Sequence, residues 1–355
     1  MPCMKTKKEA ATLTQNLGLR TQDESCYDID FVITWVDGSD PEWQKQKNLY
    51  LHGQPKSDET DSSEARYRDY GILQYWFRAA EKYAPWVRKV HFVTCGQVPE
   101  WLNLNHQKLH FVKHEDYIPR EWLPTFSSFP IELNMHRIDG LSEKFVYFND
   151  DMFLNAPVKP EDFFVNGQPC DCAVLTPIPS IFEFMGDTII NSFRILYKYF
   201  DFRKQFKANA WKWLHPKYGK FLLRTLYFLP CYWQINKCIG LYEPHTAVSF
   251  LKSTFTEVWD KEREYLSEVS GHRFRNKSDV HQWLMEWWQV MAGNFHPRSP
   301  KFSGFYGKPD PRRLIHDIKR KTHKLICIND ISPDALELVR QAYEEVFPDK
   351  SAFEV

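Results

Sequence analysis

The stretch from Pro124 to Leu154 reads PTFSSFPIELNMHRIDGLSEKFVYFNDDMFL, and its last third indicates the fold. Four apolar or aromatic residues, Phe145 to Phe148, run directly into Asn149, Asp150 and Asp151. A continuous apolar run of this kind is typical of a buried strand in a parallel sheet. Ligands bind at the carboxyl edge of open α/β sheets, so two acids placed there predict a site for a metal ion and phosphate. The alternative is that Asn-Asp-Asp forms only a solvated turn, because Asn and Asp are common turn residues.

A second polar cluster lies upstream in the same stretch. Glu132 offers a carboxylate, Asn134 an amide, His136 an imidazole and Arg137 a guanidinium. Carboxylates and imidazoles act as general bases, and a guanidinium binds phosphate oxygens through a planar pair of donors. We therefore expect the two clusters to form one site for phosphate chemistry.

The first predicted strand leads into a polar loop. The apolar run from Ile29 to Ile33 predicts a central strand, and the following WVDGSDPEW predicts a tight loop around Asp37 and Gly38. In doubly wound sheets the loop after the first strand commonly receives the nucleotide. This loop is therefore a candidate for donor binding.

The next segment alternates between helix and strand patterns. Asp69 is a candidate cap for a helix whose apolar residues keep helical spacing until Pro85. VRKVHFVT from Val87 predicts a second strand that ends before Gln97, and KLHFVKH from Lys108 predicts a third. Strand, helix and strand in succession favour a right-handed parallel unit, which would place Gln97 at the same sheet edge as the acids.

Composition and charge narrow the class of protein. The chain has 355 residues, with 46 Lys and Arg against 46 Asp and Glu, so no basic excess favours nucleic acid. The eight cysteines lack paired CxxC and zinc-ligand spacing, and we read them as free thiols of a cytoplasmic protein. Residues 1–26 have no apolar run behind their basic residues, which predicts a flexible tail and neither a secretory signal nor an anchor.

The second half of the chain has a different character. Residues 180–240 are rich in aromatic residues and in Lys and Arg, with helical periodicity, and predict a mostly helical part. The apolar segment FLLRTLYFLPCYWQINKCIGLY is interrupted by Arg224, Pro230 and Lys237 and is too broken to span a bilayer. Peripheral contact with the inner face of a membrane stays open for this segment. Further on, His245 follows a proline and precedes a predicted apolar helix.

Five pieces of the sequence, in this order, resemble the four regions of the Stealth family: IDFVITWVDGSDP; RYRD with YAPWVRKVHFVTCGQVPEWLN; LPTFSSFPIELNMHRIDGLSEKFVYFNDDMF; EPH with HRFRNKSDVHQWL; and KLICINDIS. That family includes bacterial capsular-polysaccharide sugar-phosphate transferases and is similar to the catalytic core of the lysosomal-enzyme N-acetylglucosamine phosphotransferase. Several long motifs in the right order identify a protein family more specifically than the three residues Asn-Asp-Asp do. The resemblance therefore favours the site interpretation of Asn-Asp-Asp over the turn interpretation.

The resemblance implies a reaction and a fold. The reaction is transfer of a sugar 1-phosphate from a nucleotide-sugar, most often a UDP-sugar, to a hydroxyl of a free or lipid-linked saccharide, with release of the nucleoside monophosphate. The expected setting is capsular or exopolysaccharide synthesis. The fold is α/β and similar to nucleotide-sugar transferases, with a Rossmann-like, mainly parallel sheet in the nucleotide-sugar-binding residues 27–165. A largely helical part, residues 166–355, is expected to complete the active site, and the oligomeric state is left open.

In-line attack at phosphorus needs a divalent cation, cationic groups on the phosphate oxygens and a base near the incoming hydroxyl. Asp150 and Asp151 are expected to hold Mg²⁺ or Mn²⁺, since hard cations prefer oxygen ligands; alternatively, one of the two binds the ion and the other orients a neighbouring group. By the resemblance, His245 is the favoured base and Arg275 binds phosphate oxygens, with Glu132 and His136 as further candidate catalytic residues. The candidate donor-binding residues are Asp37, Gly38, Arg66, Asp69, Gln97, Asn134, Arg137 and Asn329.

Other interpretations compete with these assignments. A surface ion pair equally explains Arg66 or Arg137, and capping of a strand end equally explains Asn329. A metal-dependent glycosyltransferase with the same donor would use paired acids in the same way. A sugar-binding protein without catalysis is supported only by the 13 Trp residues.

Overall fold

The computed structural model describes residues 28–51, 60–61, 67, 69–177, 184–307, 310–329 and 331–355. The predicted tail of residues 1–26 and the candidate donor-binding residue Arg66 lie outside these ranges.

The secondary structure of the described residues alternates between strands and helices along the chain. The strands are β1 (Ile29–Thr34), β2 (Thr60–Asp61), β3 (Val90–Thr94), β4 (Leu109–Lys113), β5 (Lys144–Phe148), β6 (Met152–Leu154), β7 (Phe164–Val165), β8 (Gln168–Asp171), β9 (Val248–Leu251), β10 (Arg275–Asn276), β11 (His296–Pro297), β12 (Ser303–Gly307) and β13 (Leu325–Asn329). The helices are α1 (Pro41–Leu51), α2 (Leu73–Tyr83), α3 (His114–Tyr117), α4 (Ser128–Leu133), α5 (Phe184–Tyr199), α6 (Phe202–Ala208), α7 (Ala210–Trp213), α8 (Leu222–Ile235), α9 (Lys252–Lys261), α10 (Arg263–Gly271), α11 (Trp283–Met291), α12 (Pro311–Arg320) and α13 (Pro333–Val346). None of these helices has both the length and the apolar character that crossing a membrane requires.

The main sheet of the described chain has five strands in the order β4-β3-β1-β5-β9. Strand β1 pairs in parallel with both β3 and β5, and β3 pairs in parallel with β4. Helices α5 to α13 make the second half largely helical. The predicted α/β fold, with a mainly parallel sheet and a largely helical second part, is therefore confirmed.

The segment after His245 differs from the prediction. Val248–Leu251 forms β9, which pairs antiparallel with β5 at the edge of the main sheet, and helix α9 begins only at Lys252. The prediction of a helix directly after His245 was wrong. A short buried apolar run cannot be assigned to strand or helix by periodicity alone.

Strand β1 is central because both of its faces are buried. Its side chains alternate between faces, so Phe31 and Val32 enter two different hydrophobic clusters. The Phe31 ring lies 6.4 Å from the Trp76 ring of α2 and 4.9 Å from the Phe148 ring of β5, measured between centroids. Burial of each large apolar side chain contributes roughly 1.5–3 kcal/mol, so this layer fixes the strands whose ends form the site.

A second sheet, of three strands, follows the end of strand β5. Its strands have the order β12-β13-β6, with β6 antiparallel to β13. Strand β5 ends at Phe148 and β6 begins at Met152, so the turn Asn149–Asp151 joins the two sheets. The Met152 N–H donates to the Asn149 carbonyl at 3.1 Å, and the Ile328 N–H donates to the Asp151 carbonyl at 2.8 Å. The turn is thus fixed by backbone bonds from both sides.

A buried ion pair joins the strands of the main sheet. Asp30 of β1 is fully buried and accepts hydrogen bonds from Arg88 Nε and Ser142 N, while His91 Nε2 lies 2.9 Å from its carboxylate. Burial disfavours the ionised carboxyl. The hydrogen bonds of His91 and Arg88, with the His91 charge and the Ser142 amide, outweigh it and lower the pKa of Asp30. Because Ser142 directly precedes the segment that enters β5, this network aligns β1, β3 and β5.

The substitution Asp30→Asn should lower the free energy of unfolding by about 1.5–3 kcal/mol, because it removes the buried carboxylate that accepts hydrogen bonds from Arg88 and Ser142. A lowered folded-state pKa gives stability that is present above the ordinary value of 3.8 and lost as the pH falls through the folded value. Urea unfolding from neutral pH to below 3.8 should therefore show a steeper loss in the wild type than in the variant. Asp349→Asn, at an exposed position, is the control, and equal destabilisation by the two substitutions would contradict this account.

Candidate active site

A cavity of about 340 Å³ opens at the carboxyl edge of the main sheet. Residues that end or follow the parallel strands line it, among them Thr34, Cys95 and Asp150. Such a volume lies in the range of small-molecule sites. Six of the predicted site residues line the cavity, and they come from both halves of the chain: Glu132, Asp150, Asp151, His245, Arg275 and Asn329.

The Asn-Asp-Asp segment is both a turn and part of the cavity wall. Burial, followed by the negative charges of Asp151 and Asp69, raises the pKa of Asp150 to about 8. Asp151 Oδ1 is buried and has no hydrogen-bond partner among the described residues. The backbone thus holds two carboxyl groups together at a site that disfavours the ionised form of Asp150, and a cation would relieve this cost.

Three side chains at this turn lie close enough together to hold a metal ion. Asp151, His245 and Cys327 each offer a ligand atom, and these atoms lie within 4.8 Å of one another. The Cys327 Sγ donates to Asp151 Oδ2 at 3.2 Å. Burial, followed by the charge of Asp151 and this hydrogen bond, raises the pKa of the Cys327 thiol well above its ordinary value. Asp151 thus offers an oxygen ligand, and His245 a nitrogen ligand, at this turn.

His245 reaches the same carboxylate from the second half of the chain. Its Nε2 atom lies 3.7 Å from Asp151 Oδ2, and its backbone N–H donates to Glu243 Oε1 at 2.8 Å. Burial disfavours the imidazolium, but the hydrogen bond and charge of Asp151, with the charges of Glu243 and Glu132, raise the pKa of His245. The residue has a φ of 48°, a left-handed conformation that is uncommon outside glycine. The surrounding contacts therefore hold the imidazole in a specific orientation.

Arg275 is held at the cavity wall by residues of helix α4. Its Nη2 atom donates to Ser128 Oγ at 3.1 Å, and its guanidinium lies 4.7 Å from the centre of the Phe129 ring. Strand β10, which begins at Arg275, pairs with β2. These contacts orient a planar cationic group toward the space between the two halves.

Sequence reasoning missed His281, which the fold places beside Glu132. His281 Nδ1 lies 3.5 Å from Glu132 Oε2, and the Tyr147 hydroxyl donates to Glu132 Oε1 at 3.2 Å. The imidazole is buried and lines the cavity, and its Nε2 atom has no hydrogen-bond partner among the described residues. The only sequence signal was its position in the motif HRFRNKSDVHQWL. The contact with Glu132 depends on the packing of the two halves.

The first predicted donor-binding loop lies beside the cavity and supports its wall. The Asp37 N–H donates to Gln97 Oε1, and Gln97 Nε2 donates to the Asp37 carbonyl, both at 2.9 Å. A Cβ atom on Gly38 would lie 2.1 Å from the Tyr67 carbonyl oxygen, so only glycine allows this approach. The preceding residues Trp35 and Val36 line the cavity, whereas Asp37, Gly38 and Gln97 do not.

Four other predicted site residues also lie outside the cavity lining. His136 packs against aromatic rings of α9, and burial, followed by the charge of Arg137, lowers its pKa to about 3. Arg137 lies 4.7 Å from the Trp259 ring centre, and Asn134 Nδ2 donates to Ser270 Oγ at 3.1 Å. Asp69 accepts a hydrogen bond from the Gly71 N–H. The predicted cap at Asp69 was wrong, because α2 begins at Leu73 with Ile72 as its N-cap.

Two family models match the chain. The model described as Stealth protein CR1, conserved region 1, matches residues 27–54, and the model described as Stealth protein CR2, conserved region 2, matches residues 66–171.

Curated relatives match over nearly the whole chain. The capsular polysaccharide phosphotransferase WcwK of Streptococcus pneumoniae is 43% identical over 332 residues, which cover 92% of this chain and 98% of the relative. The exopolysaccharide phosphotransferase cps2G of Lactiplantibacillus plantarum is 38% identical over 335 residues, which cover 92% and 96%. A solved structure of the galactosyltransferase LgtC, with donor and acceptor sugar analogues, has a TM-score of 0.42 and 9% identity, and the match covers 91% of this chain and 96% of that chain. From its identity to the two phosphotransferases, the chain belongs to the Stealth family of sugar-phosphate transferases, which act in capsular and exopolysaccharide synthesis.

Proposed function

We propose that this enzyme transfers a sugar 1-phosphate from a nucleotide-sugar, a UDP-sugar, to a hydroxyl of a saccharide acceptor. The observation that carries the proposal is one cavity in which two half-buried carboxyl groups meet an imidazole and a guanidinium from the other half of the chain. A phosphoryl-transfer site needs this combination of a metal-binding group, a base and a fixed cation. A glycosyltransferase would use the same acids, so the bond that breaks must be tested directly.

Each residue has a role that its position allows. Asp150 and Asp151 would hold the divalent cation, which when bound neutralises charge on the diphosphate. Arg275 binds oxygens of the phosphoryl group that is transferred, because its guanidinium is fixed by α4. His245 accepts the proton of the acceptor hydroxyl, and the Asp151 carboxylate at 3.7 Å stabilises the imidazolium that forms. The acceptor oxygen bonds to the sugar-bearing phosphorus as the bond from that phosphorus to the nucleotide phosphate breaks.

Glu132 lines the cavity in which the proposed reaction would occur. Its two carboxylate oxygens engage Tyr147 and His281, one from each half of the chain. Its role in the proposal is to orient His281, whose unpartnered Nε2 atom is available to a substrate oxygen. Asn329, at the end of β13, lines the same cavity and offers an amide to the donor.

Turnover should release the nucleoside monophosphate, because the proposed reaction breaks the bond between the two phosphate groups. Chromatography of the spent UDP-sugar after incubation with acceptor identifies the nucleotide that is released. Release of the nucleoside diphosphate together with a glycosylated acceptor would establish the glycosyltransferase alternative. Donor binding without turnover across a panel of acceptors would favour a sugar-binding protein.

Asp150→Asn and Asp151→Asn should each lower the transfer rate by about 10³-fold or more, because the cation contributes several kcal/mol of charge stabilisation. The urea unfolding curve should remain cooperative in both variants. Chelation should abolish wild-type transfer, and Mg²⁺ or Mn²⁺ should restore it. Asp139→Asn is the matched control, since Asp139 is exposed and lies in the same segment. Full activity of either cavity variant, or of chelated wild type, would refute the metal assignment.

His245→Ala should leave donor affinity nearly unchanged and lower the transfer rate by about 10²–10⁴-fold, the usual contribution of a general base. His136→Ala removes the same group from a packed position outside the cavity, so it should lower stability more than it lowers the rate. Calorimetry of UDP-sugar binding in Mg²⁺ and single-turnover transfer distinguish the two effects. Unchanged transfer in the His245 variant, or a loss explained wholly by weaker donor binding, would contradict its role as base.

A further inference from the structure

One segment of the chain carries an excess of positive charge, although the chain as a whole has a formal net charge of zero. The 41 residues from Phe202 to Tyr242 contain eight Lys and Arg and no Asp or Glu, whereas the whole chain has 46 of each class. Lys212 is buried and Arg203 half-buried. The six that are exposed to solvent are Lys204, Lys207, Lys217, Lys220, Arg224 and Lys237.

Helix α8, within this segment, exposes an apolar face. The exposed residues recur every three or four positions, which places them on one side of the helix. We call the apolar residues of this face the outer stripe, and the polar residues Arg224 and Gln234 of α8 are exposed beside them; the outer stripe consists of Leu223, Leu226, Tyr227, Pro230, Cys231 and Ile235. Leu223 is 68% exposed and Tyr227 is 76% exposed.

The opposite face of α8 is fixed to the body of the protein. The Leu175 N–H donates to Thr225 Oγ1 at 3.1 Å, and the Tyr232 hydroxyl donates to the Thr176 carbonyl at 2.8 Å. Both Thr225 and Tyr232 are buried. The outer stripe therefore cannot turn inward without breaking buried hydrogen bonds.

Other exposed apolar side chains lie near this helix in the sequence. In the described part of the chain, eight of the fourteen large hydrophobic side chains that are exposed lie between Tyr199 and Ile239. Those outside α8 include Trp211, 57% exposed, and Leu214. Contiguous apolar patches with a polar rim mark surfaces that bind a protein or a membrane.

We propose that α8 docks peripherally on a bilayer of anionic phospholipid. The outer stripe enters the boundary between head groups and acyl chains, and the exposed basic side chains lie against the lipid phosphates. At 14 residues α8 is shorter than the roughly 20 that a span requires, which fits a helix lying in the plane of the interface. A second copy of the chain is a poorer occupant, because two identical basic surfaces would repel each other.

Docking in this way would hold the catalytic cavity near the membrane. Ile235 of the outer stripe and His245 in the cavity are ten positions apart in the sequence, so the chain between them spans at most about 36 Å. This proximity suits an acceptor saccharide that is linked to a lipid. That consequence rests on the proposed function, whereas the docking itself does not.

Flotation with vesicles tests the docking without any turnover. The wild type should float with phosphatidylglycerol–phosphatidylcholine vesicles at low salt, and less so with phosphatidylcholine alone or at high salt. The combined change Leu223→Ser, Leu226→Ser and Tyr227→Ser should weaken binding by about tenfold or more. The combined change Lys204→Glu and Lys220→Glu should weaken it by a similar factor and only on anionic vesicles.

The controls use exposed side chains of the same types elsewhere in the chain. Leu104→Ser with Leu338→Ser, both 47% exposed, and Lys45→Glu on α1 should float like the wild type. The outer-stripe variant should keep wild-type transfer to a soluble acceptor, so loss of docking is distinguishable from failure of the proposed reaction. Absence of flotation of the wild type, or equal flotation of the outer-stripe variant, would overturn the proposal. Dimerisation that depends on the outer stripe, without vesicle binding, would assign the surface to a second copy and overturn it too.

Discussion

The structure of the site depends on one three-residue turn that belongs to two sheets. Asn149–Asp151 leaves the main sheet after β5 and enters the second sheet at β6, and backbone hydrogen bonds fix the turn from both sides. Two carboxyl groups are thereby held next to each other, and burial with the charge of Asp151 raises the pKa of Asp150. The packed sheets hold the two groups in place, and the cation of the proposed reaction would relieve the cost of their proximity.

The second half of the chain completes this site by bringing its own groups to the turn. The carbonyl of Asp151 pairs with β13, while its side chain meets Cys327 of the same strand and His245. Opposite them, Glu132 engages His281 from the loop before α11. The halves are therefore joined through polar contacts at the cavity as well as through the core, and a substrate bound there contacts both.

The sequence predicted the fold well where the pattern was local and continuous. The apolar runs ending at Thr34, Thr94 and Phe148 predicted parallel strands, and the acids after Phe148 lie at the predicted edge. The strand after His245 was missed because a four-residue apolar run carries no period that separates strand from helix. Proximity in sequence does not fix proximity to the cavity: His136 lies four residues from Glu132, yet it packs against aromatic rings and does not line the cavity. His281 could not be found from the sequence, because its partner belongs to the other half of the chain.

The central claim is that phosphorus, and not the anomeric carbon, is the atom attacked in this cavity. The most direct measurement uses a UDP-sugar labelled with ³²P in the phosphate next to the sugar, incubated with acceptor and Mg²⁺. This account predicts that the label moves to the acceptor together with the sugar, in a phosphodiester. Label that remains in the released nucleotide while the sugar moves to the acceptor would contradict it.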